Sequence, residues 1–162
     1  MSVSSNEKIR EILAKNLGFE ETMREIFGAF QIHRALSMSL DEVKRGECRI
    51  SVTFYEPMTN IYGTVQGGVL GVVLDSAIWM ACLSVLGPGV LSEYFLVTDA
   101  TPSVEIKFPV SVKKRYQVIA RSSGGVESIR GRRVICGDGR ILTEEGQEIA
   151  IASATQVLKP CG

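Results

Sequence analysis

Asn60, Gln66, Gly67, Gly68 and Asp75 fall in one stretch: Asn60-Ile-Tyr-Gly-Thr-Val-Gln-Gly-Gly68 and then an almost wholly apolar run whose one carboxylate is Asp75. The Gly67-Gly68 pair opens what reads as a long buried helix, with Asp75 two turns inside it. A carboxylate on an apolar helix is costly to keep, so it needs a partner or a chemical role. A helix start made of small residues offers bare backbone N–H groups to developing negative charge. Together these residues point to a site for attack on a carbonyl.

Spacing adds a condition. Eight residues separate Gly67 from Asp75, about 12 Å at helical rise. A reacting group needs contacts near ~3 Å, so the two cannot grip one carbonyl within a single chain. The geometry closes only if Gly67 of one protomer faces Asp75 of another.

The elements that must hold these residues read as follows. Asn6 to Leu17 carries Ile9, Ile12, Leu13 and Leu17 at helical spacing, with Asn6 suited to an N-cap. Gly18 breaks it, and Phe19 to Phe30 reads as a second short amphipathic turn or helix. Ile32 to Leu40 reads as a strand, Asp41 to Gly46 as a polar connection, and Cys48 to Tyr55 as a strand with Cys48, Ile50, Val52 and Phe54 on one face. The helix is expected over Gly67–Leu86, stopped by Gly87-Pro88-Gly89. Strands follow at Tyr94–Thr98, Ser103–Val110, Tyr116–Ser123, Val126–Gly137 and Ile149–Leu158, with turn signals at Gly124-Gly125 and Glu144-Glu145-Gly146. This is an α+β pattern in which a curved antiparallel sheet embraces one long central helix. One protomer leaves such a helix half covered, and a dimer joining two sheets edge to edge would complete it. The expected organisation is an N-terminal helical extension over 1–30 and a single domain over 31–162.

Composition narrows the function classes. Eighteen basic and eighteen acidic residues cancel, so nothing pulls the chain toward nucleic acid or an anionic membrane. The 45% hydrophobic content suggests surface hidden in an oligomer as well as a core. Gly67 to Leu91 is long and apolar enough to suggest a membrane span. Its internal glycines, the Gly-Pro-Gly break and the lack of flanking Lys/Arg argue against one. Cys48, Cys82, Cys136 and Cys161 show neither a CxxC pair nor metal-ligand spacing, and read as reduced thiols of a cytoplasmic protein. His33 is the single histidine, which removes His-rich metal sites. No metal or cofactor is expected.

The arrangement Asn60-x5-Gln66-Gly67-Gly68-x6-Asp75 resembles the hotdog-fold acyl-CoA thioesterases of the phenylacetate-pathway (PaaI-like) type, which usually show Asn-x5-His-Gly-Gly-x6-Asp. Downstream, Ser128-Ile-Arg130-Gly131-Arg132-Arg133 and Glu144-Glu145-Gly146-x3-Ala150 resemble the family's Arg-Gly-Arg strand and its acidic-Gly-to-Ala strand pair. The likeness spans about residues 45–158. The departure is Gln66, which keeps hydrogen bonding but has no proton chemistry near neutral pH. The resemblance implies a hotdog fold and hydrolysis of a small or medium acyl-CoA at a site shared across a homodimer, with dimers pairing into a homotetramer. The Gly67 N–H would polarise the thioester oxygen, aided by the helix dipole. Asp75 would be the nucleophile or the base that activates water. Asn60 would orient the thioester or the water, Gln66 would add a hydrogen bond, and Thr101 or Ser103 would hold the attacking water. Gly68, Arg130, Gly131, Arg132 and Arg133 would meet the coenzyme A moiety, the arginines binding its phosphates.

Plainer readings stand beside these. Asp75 could be a structural carboxylate held by Ser76 or by a strand Thr. The Gly67-Gly68 pair could permit close helix–strand packing, Asn60 could be an ordinary turn residue, and the arginines could blunt a sheet edge. A non-catalytic acyl-CoA binding or sensing protein is the alternative function, and a hotdog dehydratase ranks last because only His33 could serve it.

Overall fold

The computed structural model describes residues 5–98 and 103–160. An eight-stranded antiparallel sheet, with a main path β1-β2-β5-β7-β8-β3, curls around one helix. The strands are β1 (Met38–Lys44), β2 (Glu47–Thr53), β3 (Tyr94–Thr98), β4 (Ser103–Ile106), β5 (Arg115–Ser122), β6 (Glu127–Ile129), β7 (Arg132–Leu142) and β8 (Glu148–Pro160). The long β8 pairs with β7 on one side and with both β3 and β4 on the other. β3 and β4 together therefore make one interrupted edge. The helices are α1 (Ser5–Ala14), α2 (Phe19–Ala29), α3 (Gln31–Ala35), the central α4 (Gly67–Leu83) and α5 (Pro88–Glu93).

α4 is apolar nearly all round because the sheet wraps it. Leu70, Leu74, Ile78 and Leu83 are among its fully buried side chains. The sheet meets them with small residues. A Cβ added at Gly137 would lie 2.8 Å from Ile78 Cγ2, 2.9 Å from the Arg121 carbonyl and 3.0 Å from Cys82 Sγ, and one at Gly139 would lie 3.1 Å from Ile78 Cγ1. Two glycines at alternate positions of β7 face the same side, and their missing side chains make the groove in which the helix lies. At 17 residues α4 also settles the span question: no described helix is long and apolar enough to cross a membrane.

Several expected boundaries move. Among the described residues, the helix expected over Asn6 to Leu17 already includes Ser5, so Asn6 lies inside it, and it ends at Ala14, with Asn16 turned to φ 54°. Ile32–Ala35 is helical rather than extended. Its His33 ring is buried, stacked 4.0 Å from Phe27, with Nδ1 2.8 Å from the Phe27 carbonyl, so tertiary docking overrides local strand propensity. Ser37 (φ 52°) then redirects the chain, and β1 absorbs Asp41–Lys44, leaving Arg45-Gly46 as the hairpin turn. The central helix ends three residues early, at Leu83. Gly87-Pro88-Gly89 starts a helix rather than stopping one, since Pro88 suits the first position of α5. Val126–Gly137 divides at Arg130-Gly131. Both residues have positive φ (51° and 75°) between the paired Ile129 and Arg132, the signature of a type I′ hairpin turn. β7 then continues to Leu142.

Candidate active site

Asp75 lies on the stripe of α4 that the sheet covers least, beside the β3 edge. Gly68, Val72, Asp75 and Trp79 follow at helical intervals of four, three and four. Gly68 and Val72 are exposed, and Asp75 and Trp79 are half-buried. The neighbouring face, Gly67 and Gly71, packs on β4: a Cβ at Gly67 would sit 2.9 Å from Ile106 Cδ1, and one at Gly71 would sit 3.8 Å from Val104 Cγ2. Gly67 thus serves close helix–strand packing, whereas nothing lies within 4 Å of a Cβ at Gly68.

The partner of Asp75 comes from the edge strand. Thr98 Oγ1 donates to Asp75 Oδ1 at 2.9 Å and stands 3.1 Å from Gln156 Oε1. Thr98 and Gln156 are register partners of β3 and β8. Gln156 is fully buried, and its Nε2 has no partner among the described residues. One hydroxyl proton cannot serve two acceptors. With the Gln156 amide turned end for end, Nε2 donates to Thr98 and Thr98 donates to Asp75. Amide orientation is decided by such networks. The carboxylate is therefore oriented through Oδ1, and Oδ2 makes no hydrogen bond within the described residues.

The other expected residues are placed as follows. Asn60 spends its amide on its own loop: Nδ2 donates to Thr64 Oγ1 (2.9 Å), and Oδ1 accepts from the Tyr62 (2.9 Å) and Thr64 (3.3 Å) N–H groups. That loop carries Ile61 and Tyr62 at 91% and 84% exposure on its tip. Val65 ties it to the β4–β5 connection through a 2.9 Å bond to the Val110 carbonyl, which helps fix where the helix begins. Gln66 occupies the N-cap position, exposed, with no side-chain cap. The first-turn N–H groups of α4 thus keep their helix-end character. Ser103 is not brought to Asp75. Val104 and Ile106 face the helix, so strand alternation turns Ser103 and Glu105 to the outer face, where they line a surface depression with Asp138 and Arg140. Thr101 lies outside the described residues.

Arg130, Gly131, Arg132 and Arg133 sit on the β6–β7 hairpin at the opposite end of the β3 edge. Arg133 covers the Tyr94 ring at 4.6 Å. Tyr94 and Thr98 are four residues apart on β3, about 13 Å at strand rise. The arginines and Asp75 therefore share one edge without touching. In the basic stretch Lys113-Lys114-Arg115, Lys113 pairs with Glu56 (3.2 Å) and Arg115 with Asp41 (3.5 Å). His33 is locked between Phe27 and Phe30, and burial pushes its pKa down. Sequence reasoning missed Thr98 and Gln156 as site residues. The only signal for them was the general expectation of a strand Thr beside Asp75.

No protein-family model matches the chain, and no curated protein matches it. Solved structures do. The PaaI protein of the Escherichia coli phenylacetic acid degradation operon superposes with TM-score 0.69 at 15% identity over 95% of each chain. A thioesterase family protein from Silicibacter pomeroyi gives 0.70 at 20% identity, over 88% of this chain and 99% of that one. A mutant of a thioesterase enzyme from Staphylococcus aureus gives 0.69 at 15%, over 81% and 100%. The chain has the hotdog fold. Within the hotdog frame, Asp75 is a residue of the wrapped helix, and the N-terminal helices share its core through the buried Ile12, Met23, Ile26 and Phe27.

Proposed function

We propose that this protein hydrolyses an acyl-CoA thioester at a site completed by a second copy of the chain. The observation that carries the reading is Asp75 itself: a carboxylate on the least covered stripe of the central helix, oriented by Thr98 and Gln156 with one oxygen left over. Structural neighbours described as thioesterases share the same frame.

The dimer follows from what one copy leaves bare. Val72, Val97, Ile106 and Phe108 are 36–46% exposed around the open stripe and the β3–β4 edge. A two-fold axis across this face makes an isologous contact. It sets the α4 N-terminus of one copy against Asp75 of the other, closing the ~12 Å gap between them. Gly67 and Gly68 N–H groups then face the thioester oxygen, each such donor lowering the barrier by roughly 3 kcal/mol. Asp75 takes a proton from water as it attacks the carbonyl, or attacks first and is released by water. In the first route Asp75 passes that proton to the departing CoA sulfur as the C–S bond breaks. In the second CoA leaves as thiolate, water then cleaves the acyl–Asp75 anhydride to free acid, and the proton released ends on the thiolate. Gln66 adds a hydrogen bond without proton transfer. Asn60 acts through the loop it holds, and the guanidinium groups of Arg130, Arg132 and Arg133 meet the CoA phosphates.

A second reading, acyl-CoA binding without turnover, is favoured by Gln66 standing where the resembled family has His. Release of CoA from a panel of acyl-CoA thioesters separates the two. The hydrolase reading expects turnover by wild type and at least a hundredfold loss in Asp75→Asn. Binding with no CoA release from any thioester would sink it, and equal rates would remove Asp75 from the chemistry.

A further inference from the structure

Beneath the N-terminal helices lies an apolar cavity of about 220 Å³. Ile9 of α1, Phe30, Trp79 and Leu83 of α4, Leu91 of α5 and Leu96 of β3 line it, with the exposed Arg10 beside them. The cavity is partly open to solvent, and a concave space with so apolar a lining suits an apolar ligand group. An apolar cavity of about 150 Å³ suffices for benzene. At about 30 Å³ per heavy atom, the share of a water molecule in the liquid, this one takes roughly seven.

Its place is what gives it meaning. Trp79 is one helical turn beyond Asp75 on the same stripe, a separation of about 5–6 Å between Cβ atoms. The indole Nε1 donates to the Leu96 carbonyl at 2.8 Å, and Phe30 meets the ring edge-on at 5.1 Å. Leu96 in turn precedes Thr98 by two residues, so the two side chains share a face of β3. The cavity wall (Trp79 and Leu96) and the carboxylate with its holder (Asp75 and Thr98) are thus successive same-side residues of α4 and β3.

We infer that this cavity receives the acyl tail of the substrate, a medium-chain alkyl or aryl group of about seven heavy atoms, and that α1 is the wall that limits its length. The inference rests on the hydrolase reading for setting the thioester carbonyl at Asp75, whereas filling of the cavity is measurable without turnover.

Trp79 is the single tryptophan of the chain, so intrinsic fluorescence reports on this wall directly. Full-length protein is titrated with butanoyl-, hexanoyl-, octanoyl- and decanoyl-CoA. A saturable change in emission is expected, tightening about fourfold per methylene until the cavity is full. Ile9→Phe narrows the space and should weaken octanoyl-CoA binding at least tenfold. Ile9→Ala widens it and should move the preferred chain up by one or two carbons. Opposite shifts from one position cannot come from misfolding. Affinity independent of chain length, or Ile9 variants that both behave as wild type, would overturn the inference. CoA release without a Trp79 response removes the tail site and leaves the hydrolase. A graded Trp79 response without CoA release does the reverse, making this the tail site of a binding protein.

Discussion

Replacing Thr98 with Val removes one hydroxyl, keeps the β-branched shape and tests the network around Asp75 directly. Two terms are lost. The 2.9 Å bond to a carboxylate belongs to the class worth about 1.5–3 kcal/mol. The fully buried Gln156 also loses its one side-chain partner, and a buried unsatisfied group costs about 1–3 kcal/mol. The added methyl is partly buried and returns well under about 1 kcal/mol. The expected net loss is about 2–5 kcal/mol, read as a fall in the midpoint of guanidinium unfolding at unchanged slope or as roughly 4–20 °C in Tm for a chain of this size. Thr98→Ser keeps the hydroxyl and should recover most of it. In a Gln156→Met background the cost of Thr98→Val should shrink toward the Asp75 bond alone, a coupling of about 1 kcal/mol or more. CoA release should fall about ten- to hundredfold in Thr98→Val, because Asp75 keeps its charge but loses its orientation. A Thr98→Val protein within ~0.5 kcal/mol of wild type, or additive with Gln156→Met, would refute the network.

The same Gly-to-Ala change should have opposite signs at two contacts of the central helix. Gly137→Ala meets a backbone carbonyl at 2.9 Å that β5–β7 pairing holds in place and should cost about 1–3 kcal/mol. Gly68→Ala, open to solvent within the first helical turn, should gain up to about 1 kcal/mol. Urea melts of the two variants check both. Burial holds the His33 pKa below its ordinary 6.5, so the unfolded chain binds a proton that the native state refuses. Its contribution is complete above about pH 6.5 and is lost as pH falls toward the folded value. His33→Phe should flatten the drop in unfolding midpoint between about pH 7 and 5, and parallel curves for the two proteins would contradict this. Burial pushes the thiols of Cys48 and Cys82 up to about 12. Alkylation followed by mass spectrometry should leave both unmodified in native protein at neutral pH and label both in denaturant.

The outline of the fold was legible because its signals are local and strong. Tyr94–Thr98 has the bounds expected from the sequence, and β2 and β8 shift by only a residue or two, since β-branched residues alternate between clear turn signals there. The apolar run from Gly67 had to be a wrapped helix once a membrane span was set aside. Failures cluster where distant contacts decide. Ile32–Ala35 has strand-like residues but coils because His33 docks on Phe27. The Arg130-Gly131 turn was hidden because only Gly advertises positive φ, and Arg130 adopts it too.

The site divides along the same line. Sequence by itself determined that a lone carboxylate sits two turns into a helix opened by glycines, and that the two lie too far apart to meet in one chain. Both follow from residue spacing and the fixed rise of a helix. Only the tertiary structure decided what each residue does with its surroundings. It gave Asp75 a strand threonine and a buried glutamine from β3 and β8. It turned Ser103 to the outer face, spent the Asn60 amide on its own loop, and hollowed a cavity between α1 and Trp79. Those outcomes depend on which elements pack side by side and which face of a strand turns inward, contacts such as that between Thr98 and Gln156, 58 positions apart in the chain, that no local pattern encodes.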